Sequence, residues 1–228
     1  MINNGESILF LIRLKNVFLT MEFFDFHHHK KQLSFGIYSL NLNENPDDFP
    51  YSVGIHPKDI SVENIHQQLD WLQSAILKNC FAIGECGLDS LVPIDEKIQE
   101  EVFFKQIEIA NEVKKPVIIH CVRKYYEVIS FRKFSQQPMI IHGFNKKQNV
   151  ADDLLKNNFY LSFGKAVLYN LSLQNTVKKI PLDKLFLETD DGNFAVEELY
   201  AKVSELKGIS LEQLQSQILE NLETIQNG

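Results

Sequence analysis

Eight short apolar runs punctuate this 228-residue chain, and most of them finish on, or run straight into, a histidine or a carboxylate. The runs are FFDF (23–26), LSFGIYSL (33–40), YSVGI (51–55), FAIGE (81–85), PVIIH (116–120), PMIIH (138–142), FYLSF (159–163) and KLFLE (184–188). Several are continuously apolar rather than alternating, the pattern of a strand covered on both faces. Helical stripes separate the later runs. Ile65, Leu69, Leu72 and Ile76 follow a cap at Ser61, and Ile98, Val102, Phe103, Ile107 and Ala110 form a second stripe. Ser210 and Gln213 make a capping box ahead of Leu211, Leu214, Ile218, Leu222 and Ile225.

Repeated strand–helix units imply a parallel sheet, and eight of them imply an α/β fold made of a single TIM-type (β/α)8 barrel. The first half breaks the rhythm. Only about three residues join strands one and two, and the second link, NLNENPDDFP, is an Asn/Pro/Asp loop, so the helices after the first two strands should be short or missing.

With 44% hydrophobic and 23% charged residues the chain can fill one large core, which excludes a disordered chain. A net charge of −7 excludes a broad basic platform for duplex nucleic acid but leaves room for a local basic site. Cys80, Cys86 and Cys121 have neither disulfide-framework nor zinc-ribbon spacing, which points to a reducing, cytoplasmic compartment, and Cys86 and Cys121 read as buried small apolar residues. The run ILFLIRL (8–14) is too short for a signal-peptide core or a membrane span. Because the patterned chain begins at Met21, residues 1–20 read as an N-terminal extension or a mispredicted start, and residues 21–228 as the barrel.

The strand ends carry the chemistry. His27 and His29 are two apart and project to one side of a strand, while His28 points away. His56 follows strand three, Glu85 ends strand four, His120 and His142 end strands five and six, and Asp190 follows strand eight. In a parallel barrel these positions share the C-terminal mouth, where this fold builds its active sites. Imidazoles with carboxylates suit Zn²⁺ or Mn²⁺, with Mg²⁺ less natural in a histidine-rich shell. The candidate ligands His27, His29, Glu85, His120, His142 and Asp190 exceed what one tetrahedral ion needs, so two ions sharing a bridging carboxylate are expected, lowering the pKa of water toward ~7.

Taken singly, each residue has a plainer reading. FHHHKK could be a solvated turn, Glu85 could pair with Arg123 or a lysine, and His120 and His142 could be hydrogen-bonded core histidines. Asp190 could cap a turn in TDDGN, and His66 lies on the polar side of a helix with no assigned role. Asp25 shares parity with His27 and His29 and is either an acceptor that orients an imidazole or a structural carboxylate.

In D-F-H-H-H (25–29), GIHP (54–57), AIGECGLD (82–89), Q-x-x-x-F-x-x-Q (99–106), KPVIIHC (115–121), IIHGF (140–144) and PLDKLFLETD (181–190) the chain resembles the TatD family of metal-dependent hydrolases, in the wider amidohydrolase-like group. The resemblance implies a deoxyribonuclease that uses two divalent ions (Mg, Mn or Zn) and acts on DNA, as a single strand or from a strand end. It implies His27, His29, Glu85 and Asp190 around one ion and Glu85, His120 and His142 around the other. Asp190, Glu85 and His56 then form the catalytic set, with Asp190 the general base, and His56 and Arg123 face the scissile phosphate. His56 could instead cap a loop, and Arg123 could open the next helix.

The chain departs from the family pattern at ETDDGNF, at its two short crossovers and at FGKAVL (163–168), all of them at the barrel mouth. Mouth loops are where this fold changes substrate, so a small amide, lactone or phosphoester is the alternative substrate class. A barrel that has lost turnover and serves as a binding partner would show a broken ligand set, and here the set is intact.

Overall fold

The computed structural model describes residues 22–227 apart from 34 and 47. The extension read at residues 1–20 lies outside the described residues. Eight strands follow in chain order: β1 (Asp25–His28), β2 (Gly36–Leu40), β3 (Tyr51–Val53), β4 (Cys80–Asp89), β5 (Val117–Val122), β6 (Met139–Ile141), β7 (Phe159–Phe163) and β8 (Leu185–Leu187). They form one sheet in sequential order, and every neighbouring pair is parallel. A parallel bridge between His28 and Asp190 draws the last strand onto the first, with Asp190 N donating to His27 O at 2.9 Å. Each of the eight apolar runs overlaps one of these strands, and the barrel read from sequence is the fold observed.

Outside the strands lie α1 (Ile65–Ser74), α2 (Glu96–Val113), α3 (Tyr125–Phe131), α4 (Gln148–Lys156), α5 (Leu171–Lys179), α6 (Val196–Lys207) and α7 (Leu211–Asn227). The helices cover one face of the sheet and the barrel interior fills the other, so β4, for example, is buried along its whole length. Burying each Ile, Leu, Val or Phe there contributes about 1.5–3 kcal/mol. Among the described residues no helix lies between β1 and β2 or between β2 and β3. The link from β1 to β2 runs over residues 29–35, longer than the sequence suggested, because β2 begins at Gly36 rather than Leu33. No helix among the described residues is long and apolar enough to cross a membrane.

The capping box before α7 forms as read: Ser210 N donates to Gln213 Oε1 at 2.9 Å, and Gln213 N donates to Ser210 Oγ at 3.2 Å. The cap expected at Ser61 does not form. A 3₁₀ turn (Val62–Asn64) precedes α1, the Ser61 hydroxyl accepts from Asn64 Nδ2, and Gln68 of α1 bonds Ser61 N and Asp59 O instead. At the other end of the chain, Asn221 of α7 donates to Leu182 O and Leu185 O and so anchors the start of β8.

Two glycines, one in the GECG segment of β4 and one just past β3, allow close approach of neighbouring strands. Gly87 has φ +142°, and a Cβ there would lie 2.1 Å from His120 O of β5. Gly54, which follows β3, would place a Cβ 2.7 Å from Glu85 O. Both hold the backbone of neighbouring strands close beside the residues of the mouth.

Candidate metal centre

The mouth is organised around one carboxylate. Glu85 sits on β4 with its two oxygens facing different partners. Oε1 lies 3.0 Å from His27 Nε2 and 3.2 Å from His29 Nε2, and Oε2 lies 3.0 Å from His142 Nε2 and 3.8 Å from His120 Nδ1. Asp190 Oδ1 completes the Oε1 side, 3.4 Å from His29 Nε2 and 3.9 Å from His27 Nε2. His142 Nε2 and His120 Nδ1 are 3.4 Å apart on the Oε2 side. The edges of a ligand tetrahedron around an ion bound at 2.0–2.1 Å run about 3.4 Å, so both sides have the span such an ion needs. His27, His29 and Glu85, and separately His27, His142 and Asp190, offer donor atoms all within 4.8 Å of one another.

Alternation along β1 does what the sequence required. His27 and His29 enter the mouth, and His28 is buried on the opposite face, its Nδ1 accepting from Lys30 N at 3.3 Å. Burial there pushes the His28 imidazole down to about 3, so it is neutral. Glu85 has no lysine or arginine partner among the described residues; its partners are histidines and the Ser39 hydroxyl, which donates to Oε1 at 3.1 Å. Burial alone would raise the Glu85 carboxyl, but the charges of His142 and His27 overcome this and hold it well below the carboxylate range. Burial likewise opposes charge on His142, and Glu85 and Glu188 outweigh it and raise that imidazole well above its ordinary value. Hydrogen bonding to Asp190 and Glu85 raises His29 to about 9.

Behind the imidazoles stands a layer of side chains that the sequence did not single out. Asp89 Oδ2 lies 3.0 Å from His120 Nε2, and Glu188 Oε1 lies 3.5 Å from His142 Nδ1. With a cation bound in place of the inner proton, these carboxylates would favour a ring proton on each outer nitrogen and turn the lone pairs of His120 Nδ1 and His142 Nε2 into the mouth. Both acids share the strand parity of a flagged neighbour, Asp89 with Glu85 and Glu188 with Asp190, and parity is the signal that could have found them. Ser39 carries no such signal.

The glutamines of the Q-x-x-x-F-x-x-Q motif also gain a purpose. Gln99 of α2 accepts from Asp89 N at 2.8 Å and donates to Asp89 O, while Gln106 accepts from Ile55 N at 2.7 Å and donates to Ile55 O. One helix thereby clamps the backbone of Asp89 and of the residue before His56.

His56 opens a 3₁₀ turn (Pro57–Asp59), and its Nδ1 accepts from Lys58 N at 3.0 Å, as a loop cap would. That bond places the ring proton on Nε2, which points inward, 3.9 Å from Glu85 Oε2. Burial, aided by the charge of His120, lowers His56 to about 3 and keeps it a neutral donor. Arg123 is exposed immediately past β5, with φ +59° and no carboxylate partner among the described residues, ahead of α3 rather than in it. Asp25 does not orient an imidazole. It accepts from Thr189 N at 2.9 Å and Thr189 Oγ1 at 2.6 Å, and so fixes the segment that carries Asp190. Asp190 is no turn cap: with φ +53° its carboxylate faces His29. Cys86 and Cys121 are buried, and His66 is exposed and apart from the mouth.

A parallel eight-stranded barrel whose mouth gathers imidazoles around a buried carboxylate has the architecture on which barrel-type metal-dependent hydrolases are built. The family model described as TatD related DNase matches residues 37–227, and the chain belongs to that family. It is 37% identical over 151 residues to the uncharacterized metal-dependent hydrolase YabD of Bacillus subtilis (strain 168), a match covering 63% of this chain and 59% of YabD. It is 27% identical over 187 residues to the uncharacterized metal-dependent hydrolase YcfH of Escherichia coli (strain K12), covering 74% of this chain and 70% of YcfH. The crystal structure of YjjV, a TatD homologue from Escherichia coli K12, shares the fold with a TM-score of 0.76 at 20% identity, over 90% of this chain and 98% of YjjV.

Proposed function

We propose that this metal-dependent hydrolase is a phosphodiesterase that cleaves DNA, as a single strand or from a strand end, with two divalent ions of Mg, Mn or Zn. The observation that carries the reading is the divided environment of Glu85: one oxygen faces His27 and His29, the other faces His142 and His120. His27, His29, Asp190 and Glu85 would hold one ion and His120, His142 and Glu85 the other. Such a pair supplies acidified water and charge neutralisation at a phosphoryl oxygen.

The chain's own residues do the rest. Asp190 is 39% exposed at the rim, and its carboxylate would take the proton of the attacking water. Nε2–H of the neutral His56 donates to a phosphate oxygen, and the Arg123 guanidinium offers planar donors to another. Lys146, Lys147 and Lys165 follow β6 and β7 on the same end of the barrel. Tyr126 and Tyr169, 68% and 70% exposed just past β5 and β7, provide ring faces for unpaired bases. This local basic and aromatic rim is compatible with the acidic whole.

The test is incubation of metal-loaded protein with end-labelled single-stranded DNA, with Glu85→Ala as control. Release of nucleotides by the wild type alone is expected, and none with Mg²⁺, Mn²⁺ or Zn²⁺ would overturn the DNA reading. The bare links after β1 and β2 and the net charge of −7 favour one second reading, a small amide, lactone or phosphoester substrate. Turnover of such a compound without DNA cleavage would establish it.

A further inference from the structure

The two sides of Glu85 differ in what stands behind them. On the Oε2 side both imidazoles are backed by carboxylates, His120 by Asp89 at 3.0 Å and His142 by Glu188 at 3.5 Å. Asp89 and Glu188 are buried, and Glu188 is further fixed by Gly143 N, which donates to Oε1 at 2.6 Å. Neither His27 Nδ1 nor His142 Nδ1 makes a hydrogen bond, but His142 Nδ1 faces the Glu188 carboxylate, whereas the carboxylate contacts of His27, to Glu85 and Asp190, lie on its inner Nε2. The other two donors on the Oε1 side reach solvent, His29 at 33% and Asp190 at 39% exposed.

A carboxylate behind an imidazole fixes its tautomer and raises its basicity, and loss of such a partner typically costs about 10–100-fold in metal affinity. Buried anions also act through a low dielectric, whereas the charge of Asp190 is screened by water. The direct carboxylate of Asp190 favours the Oε1 side, but it is one partly hydrated charge against two dry ones.

We infer that the two halves bind cations unequally: the half made by His120, His142 and Glu85 Oε2 keeps a resident ion, and the half made by His27, His29, Asp190 and Glu85 Oε1 exchanges its ion with solvent. Asp89 and Glu188 are positioning residues that create the difference. The inference rests on the two-ion reading of the centre and adds an order of loading to it.

Elemental analysis after exhaustive dialysis, followed by competition titration with Zn²⁺, tests this without reference to turnover. The wild type should retain one equivalent and bind the second at least about tenfold more weakly. D89N and E188Q should each weaken the retained step by about 10–100-fold, and D190N and H29N should weaken only the second step. Thermal melts of the metal-free variants separate misfolding from lost affinity, and two independent positioning variants guard against one of them failing to fold. Two equal steps in the wild type would overturn the inequality and leave the two-ion reading standing. The same holds if D190N and H29N abolish the retained ion while D89N and E188Q keep it. Uptake of a single equivalent at saturation would overturn the two-ion reading, and the inequality with it.

Discussion

Glu85 is an anion in a buried place, and the imidazoles around it make that tolerable. With no cation bound, the charge is balanced by protons: Asp190 and Glu85 raise His29 to about 9, and His142 is held well above its ordinary value. A cation must displace those protons. Below about pH 9 His29 is protonated, so lowering the pH strengthens the competitor, and raising it toward 9 releases the lone pair. Zn²⁺ affinity should therefore climb between about pH 6 and pH 8, by up to tenfold per unit for each proton released. Competition titration at several pH values checks the slope, and a flat profile would mean that these imidazoles are not displaced. Glu85→Gln keeps the shape and removes the charge. It should reduce Zn²⁺ affinity by at least about a hundredfold while leaving the secondary-structure signal of the metal-free protein intact.

At the scale of elements, α2 is more than a wall of the barrel. Its Gln106 bonds both backbone groups of Ile55, and replacing it with alanine leaves a buried N–H and C=O unpaired, at a cost of about 1–3 kcal/mol. Urea denaturation of Gln106→Ala should show that loss, and an unchanged midpoint would deny the clamp. Gly87→Ala should be worse, because it combines a positive φ with a Cβ 2.1 Å from His120 O, and poor yield or a strongly lowered Tm is expected. The strands themselves were legible because burial on both faces writes continuous apolar runs, as in PVIIH and PMIIH. The histidines at their ends were legible because a polar group on such a run needs a reason. Asp89, Glu188 and Ser39 were harder to see: an acid or hydroxyl near a strand end reads equally as a loop residue until neighbouring strands bring an imidazole beside it. Ser61 misled because a serine before a helical stripe signals a cap, whereas here a 3₁₀ turn intervenes and Gln68 takes over.

Taken whole, the molecule is acidic, with a net charge of −7, yet Arg123, Lys146, Lys147 and Lys165 lie on the end of the barrel that carries the centre. If that rim holds a phosphate backbone, Arg123→Ala should raise KM for single-stranded DNA several-fold, flatten its salt dependence and leave bound metal unchanged. Equal KM and salt slope in the two proteins would remove Arg123 from the substrate path. Whatever the substrate, the two-ion reading requires Glu85 to divide one mouth between two cations. Anomalous diffraction from crystals equilibrated with Mn²⁺ or Zn²⁺ measures it directly. The expected result is two peaks about 3.5–4 Å apart, one beside His27 and His29 and one beside His120 and His142, with a Glu85 oxygen on each. A single peak, or two peaks with His142 turned away from both, would contradict it.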